Sequence, residues 1–296
     1  MSLIRGIAKS CRPHQWTKNV LVFAAPVAAG VFGNTDIVRR TLLAFAAYCL
    51  AASGTYLLND ASDVEADREH PTKRNRPIAA GIVPVPLATG LGIGLIVAAL
   101  AIAFSVERNL GITIAAYLAL TTAYTFALKA MPVYDIIAVA AGFVLRAVAG
   151  AAATNVSISE WFFIVTSFGA LLMVVGKREG ERHVLGDAAA SVRPTLGAYS
   201  ANYLIYLRAV ASGLVLIGYF QWSFESSLLR SAAGHDDASL WFRLSIIPFV
   251  IAILRYSLLL DRGLGSEPER LVLKDRALLL AGGAWALLYG YGVYVA

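Results

Sequence analysis

Apolar stretches of 16–22 residues recur along the chain between short polar runs, at 18–33, 41–59, 86–106, 110–128, 133–153, 161–176, 203–224, 240–261 and 276–295. A helix rising about 1.5 Å per residue needs roughly 20 apolar residues to cross the hydrocarbon core of a bilayer. The pattern therefore predicts nine transmembrane helices, the first of them short and interrupted by Pro26. Alternating strands of about ten residues, the mark of a membrane barrel, do not occur. The expected fold is an all-α membrane protein, one integral domain over residues 1–296. Before the first span, MSLIRGIAKSCRPHQWTKN breaks its apolar residues with Arg5, Lys9 and Arg12 and offers no small-residue cleavage site, so it does not read as a signal peptide. Leu3, Ile4 and Ile7 against Lys9 and Arg12 predict a short interfacial helix at about 1–14. Cytoplasmic cap loops are expected at about 60–85 and 177–202.

Composition agrees with the pattern. The chain is 58% hydrophobic and only 15% charged, with a mean hydropathy of +0.67, whereas a soluble domain carries about a quarter charged residues. Cys11 and Cys49 are the only cysteines, and the four histidines are scattered, so no zinc cluster is formed and His14 and His70 read as polar loop residues.

Charge then gives sidedness. With nine spans, the N-terminus shares a side with Arg5, Lys9, Arg12 and Lys18; Arg68, Lys73, Arg74 and Arg76; Lys129; Lys177, Arg178, Arg182 and Arg193; and Arg262, Arg270, Lys274 and Arg276, which is seventeen of the 25 basic residues. Arg39, Arg40, Arg108, Arg230 and Arg243 fall opposite. Lys and Arg accumulate on the cytoplasmic side, so the N-terminus and the charged loops are expected there, in a multi-pass protein of the inner (plasma) membrane. The formal charge of +6 suits anionic membrane lipids as well as a phosphate ligand. No nucleic-acid partner is expected, and a homo-oligomer is left open.

The candidate chemistry lies in NDASDVEADREHPTKRNRP, Asn59 to Pro77. Asp60, Asp63 and Asp67 are spaced i, i+3, i+7, which on a continued helix places them on one face. Three carboxylates on one stripe repel unless a cation sits among them, and hard oxygen ligands favour Mg2+ sharing its shell with substrate phosphates. The alternative is a solvated acidic helix end whose charges pair with the basic residues that follow. Lys73, Arg74 and Arg76, bracketed by Pro71 and Pro77, suit an anion that reaches beyond the metal.

NDASDVEAD resembles the N-D-x-x-D-x-x-x-D motif of the UbiA-type membrane prenyltransferases. The resemblance covers nearly the whole chain. It implies nine helices around a central cavity with two acidic motifs at its cytoplasmic mouth, the first binding Mg2+-diphosphate. At the second motif, where the family carries D-x-x-x-D, this chain reads GKREGERHVLGD, with Lys177, Arg178, Glu179, Glu181 and Arg182 in place of paired aspartates. Acid on one side and Lys/Arg on the other suits one metal-bound diphosphate plus a separate bare phosphate. Phosphoribosyl diphosphate has that form. RPHQWTKN, REHPTKRNRPIAAG and KAMPVYDIIAVAAGFVLRAVAGA are similar to one branch of the family, the decaprenyl-phosphate phosphoribosyltransferases of actinobacterial cell-wall synthesis.

The resemblance implies an Mg2+-dependent enzyme that moves a 5-phosphoribosyl group from phosphoribosyl diphosphate to a polyprenyl phosphate, for a cell-wall arabinan precursor. Asp60, Asp63 and Asp67 are then the metal-binding and catalytic residues, with Asn59 beside them. Lys177 and Arg178 are candidates for the ribose 5-phosphate, and Lys18, Lys73 and Arg76 for the lipid phosphate or the diphosphate. Lys129 and Asp135 flank a tight turn at Pro132, where Tyr124 and Tyr134 can donate hydrogen bonds. Arg146 lies inside a span, eleven residues after Asp135 and so on the same helix face, where an Arg needs a polar cavity or partner. Arg208 and Arg255 also lie within spans. The rival readings are a prenyltransferase acting on an aromatic or glycerol-type acceptor, which the missing second acidic motif opposes, and a transporter, for which the internal repeats common in such folds are not evident.

Overall fold

The computed structural model describes residues 1–186, 194–232 and 236–295, and among the described residues there is no strand. In chain order the helices are α1 (Leu3–Ser10), a 3-10 helix (Pro13–Phe23), α2 (Ala24–Ala28), α3 (Thr35–Ser62), α4 (Val64–Glu69), α5 (Val85–Val106), α6 (Arg108–Phe126), α7 (Tyr134–Thr154), α8 (Glu160–Leu185), α9 (Pro194–Ala198), α10 (Ala201–Ala232), α11 (Asp236–Asp261), α12 (Pro268–Lys274) and α13 (Arg276–Tyr294). Their starts are chemically marked. The Asn34 side chain accepts from the N–H groups of Asp36 and Ile37 to cap α3, Ser159 caps α8 through Phe162 N–H, and Asp275 caps α13 through Leu278 N–H. Pro84 precedes α5, and Pro86 occupies its first turn, where a missing N–H costs nothing.

Seven of these helices, α3, α5, α7, α8, α10, α11 and α13, are long and apolar enough to cross a membrane. The chain is a multi-pass membrane protein. Two expected spans take other forms. The stretch 18–33 is divided between the 3-10 helix, α2 and a turn at Gly30, which has φ 73°; Pro26 withholds a backbone donor, and the left-handed glycine ends the helix. The stretch 110–128 is the 19-residue α6, whose arginine, asparagine, threonines and tyrosines leave it outside the apolar set. Both cap loops are also shorter than expected. Asp60 to Ser62 still belong to α3 and residues 177–185 to α8, while 187–193, including Arg193, lie outside the described residues.

The chain divides into two packing units, Met1–Phe126 with Leu145–Ser157, and Ala127–Val144 with Ile158–Ala296. In the first, small side chains dominate the core: Ala44, Ala47, Ala51, Ala99, Ala103, Ala149 and Ala153 surround Tyr48, Ile114 and Tyr117. Such a core lets backbones approach closely. A Cβ on Gly54 would stand 2.7 Å from the Gly92 carbonyl oxygen, and one on Gly150 only 1.8 Å from that of Val22. The N-terminal segment is tied to α3 by polar contacts. The Trp16 indole N–H donates to Ser53 Oγ at 3.1 Å, and that hydroxyl donates to the Cys11 carbonyl at 3.0 Å. In the second unit α8, α10, α11 and α13 pack through Leu172, Val175, Leu204, Leu260 and Leu278.

Gly150→Ala forces a methyl into the Val22 backbone and is expected to destabilise the protein by about 1–3 kcal/mol. Gly94→Ala, which meets nothing within 4 Å, is the matched control. Thermal unfolding in detergent should separate the two, and equal midpoints would refute the close-approach argument.

Candidate functional site

The acidic motif of the first unit is shaped by a helix break. Asp60 stands on the last turn of α3, 2% exposed. At Asp63 the backbone leaves the helix (φ −91°, ψ 10°) and restarts as α4, which carries Asp67, also 2% exposed. The break turns Asp63 to solvent and brings the other two carboxylates to one cation. Arg76 Nη1 lies 3.1 Å from Asp60 Oδ1 and 2.7 Å from Asp67 Oδ2. Arg12 Nη2 lies 2.6 Å from the same Asp60 oxygen, with its guanidinium 4.6 Å above the Tyr56 ring. The expected single stripe of three carboxylates is therefore corrected to a buried pair plus an exposed third. Among the described residues no three His, Cys, Asp or Glu side chains come close enough together to hold a metal.

The pairing with basic residues is what the alternative reading expected. The burial is not. A cavity of about 510 Å³ opens beside Asp60, lined by Lys9, Arg12, His14, Thr72, Asn75 and Arg76 together with Pro13 and Pro77. Its lining carries more cationic than anionic side chains, a composition suited to an anion. Two all-oxygen donors drawn to a single point next to an anion-accepting cavity fit Mg2+ in its usual mode, held by one or two carboxylates and completed by water and substrate phosphate.

Other expected residues surround this motif. Asn59 is half-buried, and its carbonyl accepts the Asp63 N–H. Lys73 is exposed on a short 3-10 turn, where His70 Nδ1 accepts from the N–H of Thr72 and of Lys73; His70 is a loop-shaping residue. Lys18 is half-buried on the Pro13–Phe23 helix, and Tyr124 half-buried on α6. Arg146 is 8% exposed. It donates to Asn19 Oδ1 at 2.8 Å and to Tyr117 Oη at 3.0 Å, and its guanidinium lies over the rings of Tyr48 and Tyr117. These contacts supply the polar partners that an arginine at membrane depth requires.

The basic cluster of the second unit is charge-compensated rather than open. Residues 177–182 lie on the last turns of α8, so acids and bases meet at helical spacing. Arg178, 3% exposed, holds Glu181 at 2.9 Å and approaches Asp135 Oδ2 with Nε at 3.5 Å. Glu179 pairs with Arg208 at 3.2 Å, and Arg208 also holds Asp261 at 3.1 Å. The Lys177 side chain is 45% exposed, with Glu181 at 3.9 Å. Asp135 is fully buried, accepting from Tyr199 Oη and from Thr195 Oγ1 at 3.2 Å. Burial, and then this bond to a carboxylate, push the Tyr199 phenol above its usual range. The same hydroxyl accepts the N–H of Val133, a β-branched residue at φ 71°. Lys129 and Tyr134 are exposed. Arg255 pairs with Asp275 at 2.7 Å.

Sequence reasoning passed over Arg12, Lys9 and His14 as site residues, and Tyr199 and Thr195 entirely. The positive-inside bias accounts for any single basic residue near the N-terminus, so it masks one that lines a cavity.

Comparison with known proteins follows the same lines. The family model of the UbiA prenyltransferase family matches residues 20–274. A decaprenyl-phosphate phosphoribosyltransferase of Mycolicibacterium smegmatis is 42% identical, over 99% of this chain and 94% of its own. One from Mycobacterium tuberculosis is 43% identical, over 99% and 95%. Among solved structures, a UbiA homologue from Archaeoglobus fulgidus bound to GPP and Mg2+ superposes with a TM-score of 0.67 at 19% identity, covering 98% of this chain and all of the other, a likeness of fold. On the family match and the near full-length relatives together, the chain belongs to the UbiA prenyltransferase family.

Proposed function

We propose that the protein transfers a 5-phosphoribosyl group from phosphoribosyl diphosphate to a polyprenyl phosphate such as decaprenyl phosphate, releasing diphosphate, with the whole chain 1–296 as the catalytic domain. The observation that carries this reading is similarity along 99% of the chain to two proteins named as decaprenyl-phosphate phosphoribosyltransferases. The buried pair Asp60 and Asp67 beside a basic-lined cavity supports a diphosphate donor.

In this reaction an oxygen of the lipid phosphate attacks ribose C1 and the bond from C1 to the diphosphate oxygen breaks, the leaving group taking the electron pair. A phosphate monoester has its second pKa near 6, so the nucleophile is already anionic and needs little help from a general base. The work left to the protein is positioning and stabilisation of the leaving group. Asp60 and Asp67 would hold Mg2+, which supplies charge neutralisation on the departing diphosphate. Asp63, exposed at the helix break, has a lesser part. Arg12 and Arg76 line the cavity and bind diphosphate oxygens, with Asn59 as a neutral neighbour; Lys18 and Lys73 are further phosphate contacts. Lys177 contacts the ribose 5-phosphate, and Arg178, buried between Asp135 and Glu181, positions the end of α8 that carries it. Arg146 orders the buried polar cluster of the first unit, while Tyr124 and Lys129 are assigned to substrate contact.

The proposed topology counts α6 and the Pro13–Ala28 run with the seven apolar helices, giving nine crossings with the N-terminus and the Asp60 motif facing the cytoplasm, where a soluble sugar diphosphate is available. The product would serve arabinan precursor synthesis for the cell wall.

Radiolabelled phosphoribosyl diphosphate should carry its label into the lipid fraction in the presence of Mg2+, and a chelator should stop the transfer until Mg2+ is restored. Labelling from prenyl diphosphate alone would overturn the reading. Asp60→Ala and Asp67→Ala should each lose turnover by about a hundredfold or more, taking removal of one oriented charge contact as the scale, while Asp63→Ala keeps a measurable rate. Equal loss in all three would restore the three-carboxylate site. Lys177→Ala should raise KM for the donor about tenfold with a smaller change in kcat, the signature of lost binding; an unchanged KM would move the 5-phosphate elsewhere.

A further inference from the structure

We propose that Arg12 and Arg76 are exchangeable counter-ions: they neutralise Asp60 and Asp67 before the substrate arrives, and turn to its diphosphate when a divalent ion takes their place. The inference rests on the diphosphate site proposed above and adds to it a rule about the order and interdependence of binding.

The two kinds of charge are attached differently. The carboxylates stand on helical backbone, with side chains only 3% exposed, whereas the two arginines are 26% and 29% exposed. Neither arginine is on a helix. Arg12 sits in the left-handed region (φ 50°, ψ 59°) between α1 and the 3-10 helix, and Arg76 is extended (φ −66°, ψ 140°). A proline follows each, at Pro13 and Pro77, which keeps the arginine out of any helix. The anions are fixed, and the cations reach them by long side chains from connecting segments.

The manner of contact is also unusual. An arginine committed to a carboxylate uses the guanidinium fork, two parallel N–H···O bonds. Here Arg76 meets both acids through Nη1 alone, and Arg12 meets Asp60 through Nη2 alone. Arg12 also rests 4.6 Å over the Tyr56 ring, but each guanidinium is hydrogen-bonded to acid through one corner. A short rotation about the side chain, with no movement of the backbone, releases it toward the cavity that both residues line.

Charge accounting makes the exchange reciprocal. Two acids and two arginines balance one another. A divalent cation arriving alone displaces two guanidinium groups that have no anion to receive them. A diphosphate arriving alone draws the arginines off two buried carboxylates, and a buried charge stripped of its partner is strongly unfavourable. When both arrive, each supplies what the other displaces. Such coupling is symmetric by linkage: whatever factor diphosphate adds to the affinity for the metal, the metal adds to the affinity for diphosphate.

Titration calorimetry on the full-length protein in detergent tests this with Mg2+ alone, inorganic diphosphate alone, and diphosphate at saturating Mg2+. The parent should bind Mg2+ about tenfold or more weakly without diphosphate than with it, within the usual range of coupling between sites. Arg76→Gln should tighten binding of Mg2+ alone by about tenfold and weaken binding of diphosphate in the presence of Mg2+ by a similar factor. The opposite signs are the signature, since an arginine with a purely structural part would leave both constants unchanged or weaken both. Arg12→Gln should shift both constants in the same two directions, and it decides the matter if Arg76→Gln does not fold; Arg76→Lys, which keeps the charge, should show neither change. A parent that binds Mg2+-diphosphate, with glutamine variants that bind Mg2+ alone no more tightly, overturns the exchange and leaves the site standing. A parent that binds no diphosphate even with Mg2+ overturns both.

Discussion

A carboxylate at the end of a membrane-embedded helix must be answered by a positive charge, because its desolvation is otherwise prohibitive. Asp60 and Asp67 impose that demand on the first unit, and much of the local architecture meets it. The break after Ser62 lets α4 double the acid at one point. The turn through Thr72–Pro77 returns Arg76 to that point, and the Trp16–Ser53–Cys11 contacts seat the N-terminal segment that carries Arg12. The resulting site is an acid pair with basic walls, a form suited to a ligand that itself carries both signs.

The same demand recurs in the second unit with a different outcome. Arg178 lies buried between Asp135 and Glu181, Arg208 between Glu179 and Asp261, and Arg255 against Asp275. These pairs form within the protein, at helical spacing or across neighbouring helices, though Arg178 Nε and Glu179 Oε2 have no hydrogen-bond partner among the described residues. They tie the end of α8 to neighbouring helices, while the Lys177 side chain stays 45% exposed. A cluster that is basic by count is thus nearly neutral by contact.

What could be read from the sequence follows the range of the forces involved. Hydropathy is local and cumulative, so the helices that cross were visible as apolar runs, with boundaries wrong where a proline or a left-handed glycine intervened, as at Pro26 and Gly30. The importance of the Asn59–Asp67 motif was legible from spacing and resemblance. The separation of Asp63 from its neighbours was not, because it depends on one residue leaving the helix, and the letters on either side read as a continuous helical stripe. Nor could spacing reveal that Arg12, 48 residues before Asp60 in the chain, stands against it. Asp135 and Arg146 share a helix and a face by arithmetic, yet they serve separate clusters, one around Tyr199 and the other around Asn19 and Tyr117. Long-range pairing of charges is set by packing, which no local pattern encodes.

The hydrogen bond from Trp16 to Ser53 has a practical corollary. The chain has five tryptophans, and the other four, Trp161, Trp222, Trp241 and Trp285, all belong to the second unit. Trp16 is therefore the lone indole of the first, two residues beyond the cavity wall at His14 and bonded to the helix whose last turn carries Asp60. With the other four replaced by phenylalanine, its fluorescence becomes a label-free optical gauge of how the N-terminal segment is seated, readable in detergent or in lipid without touching a single charged group.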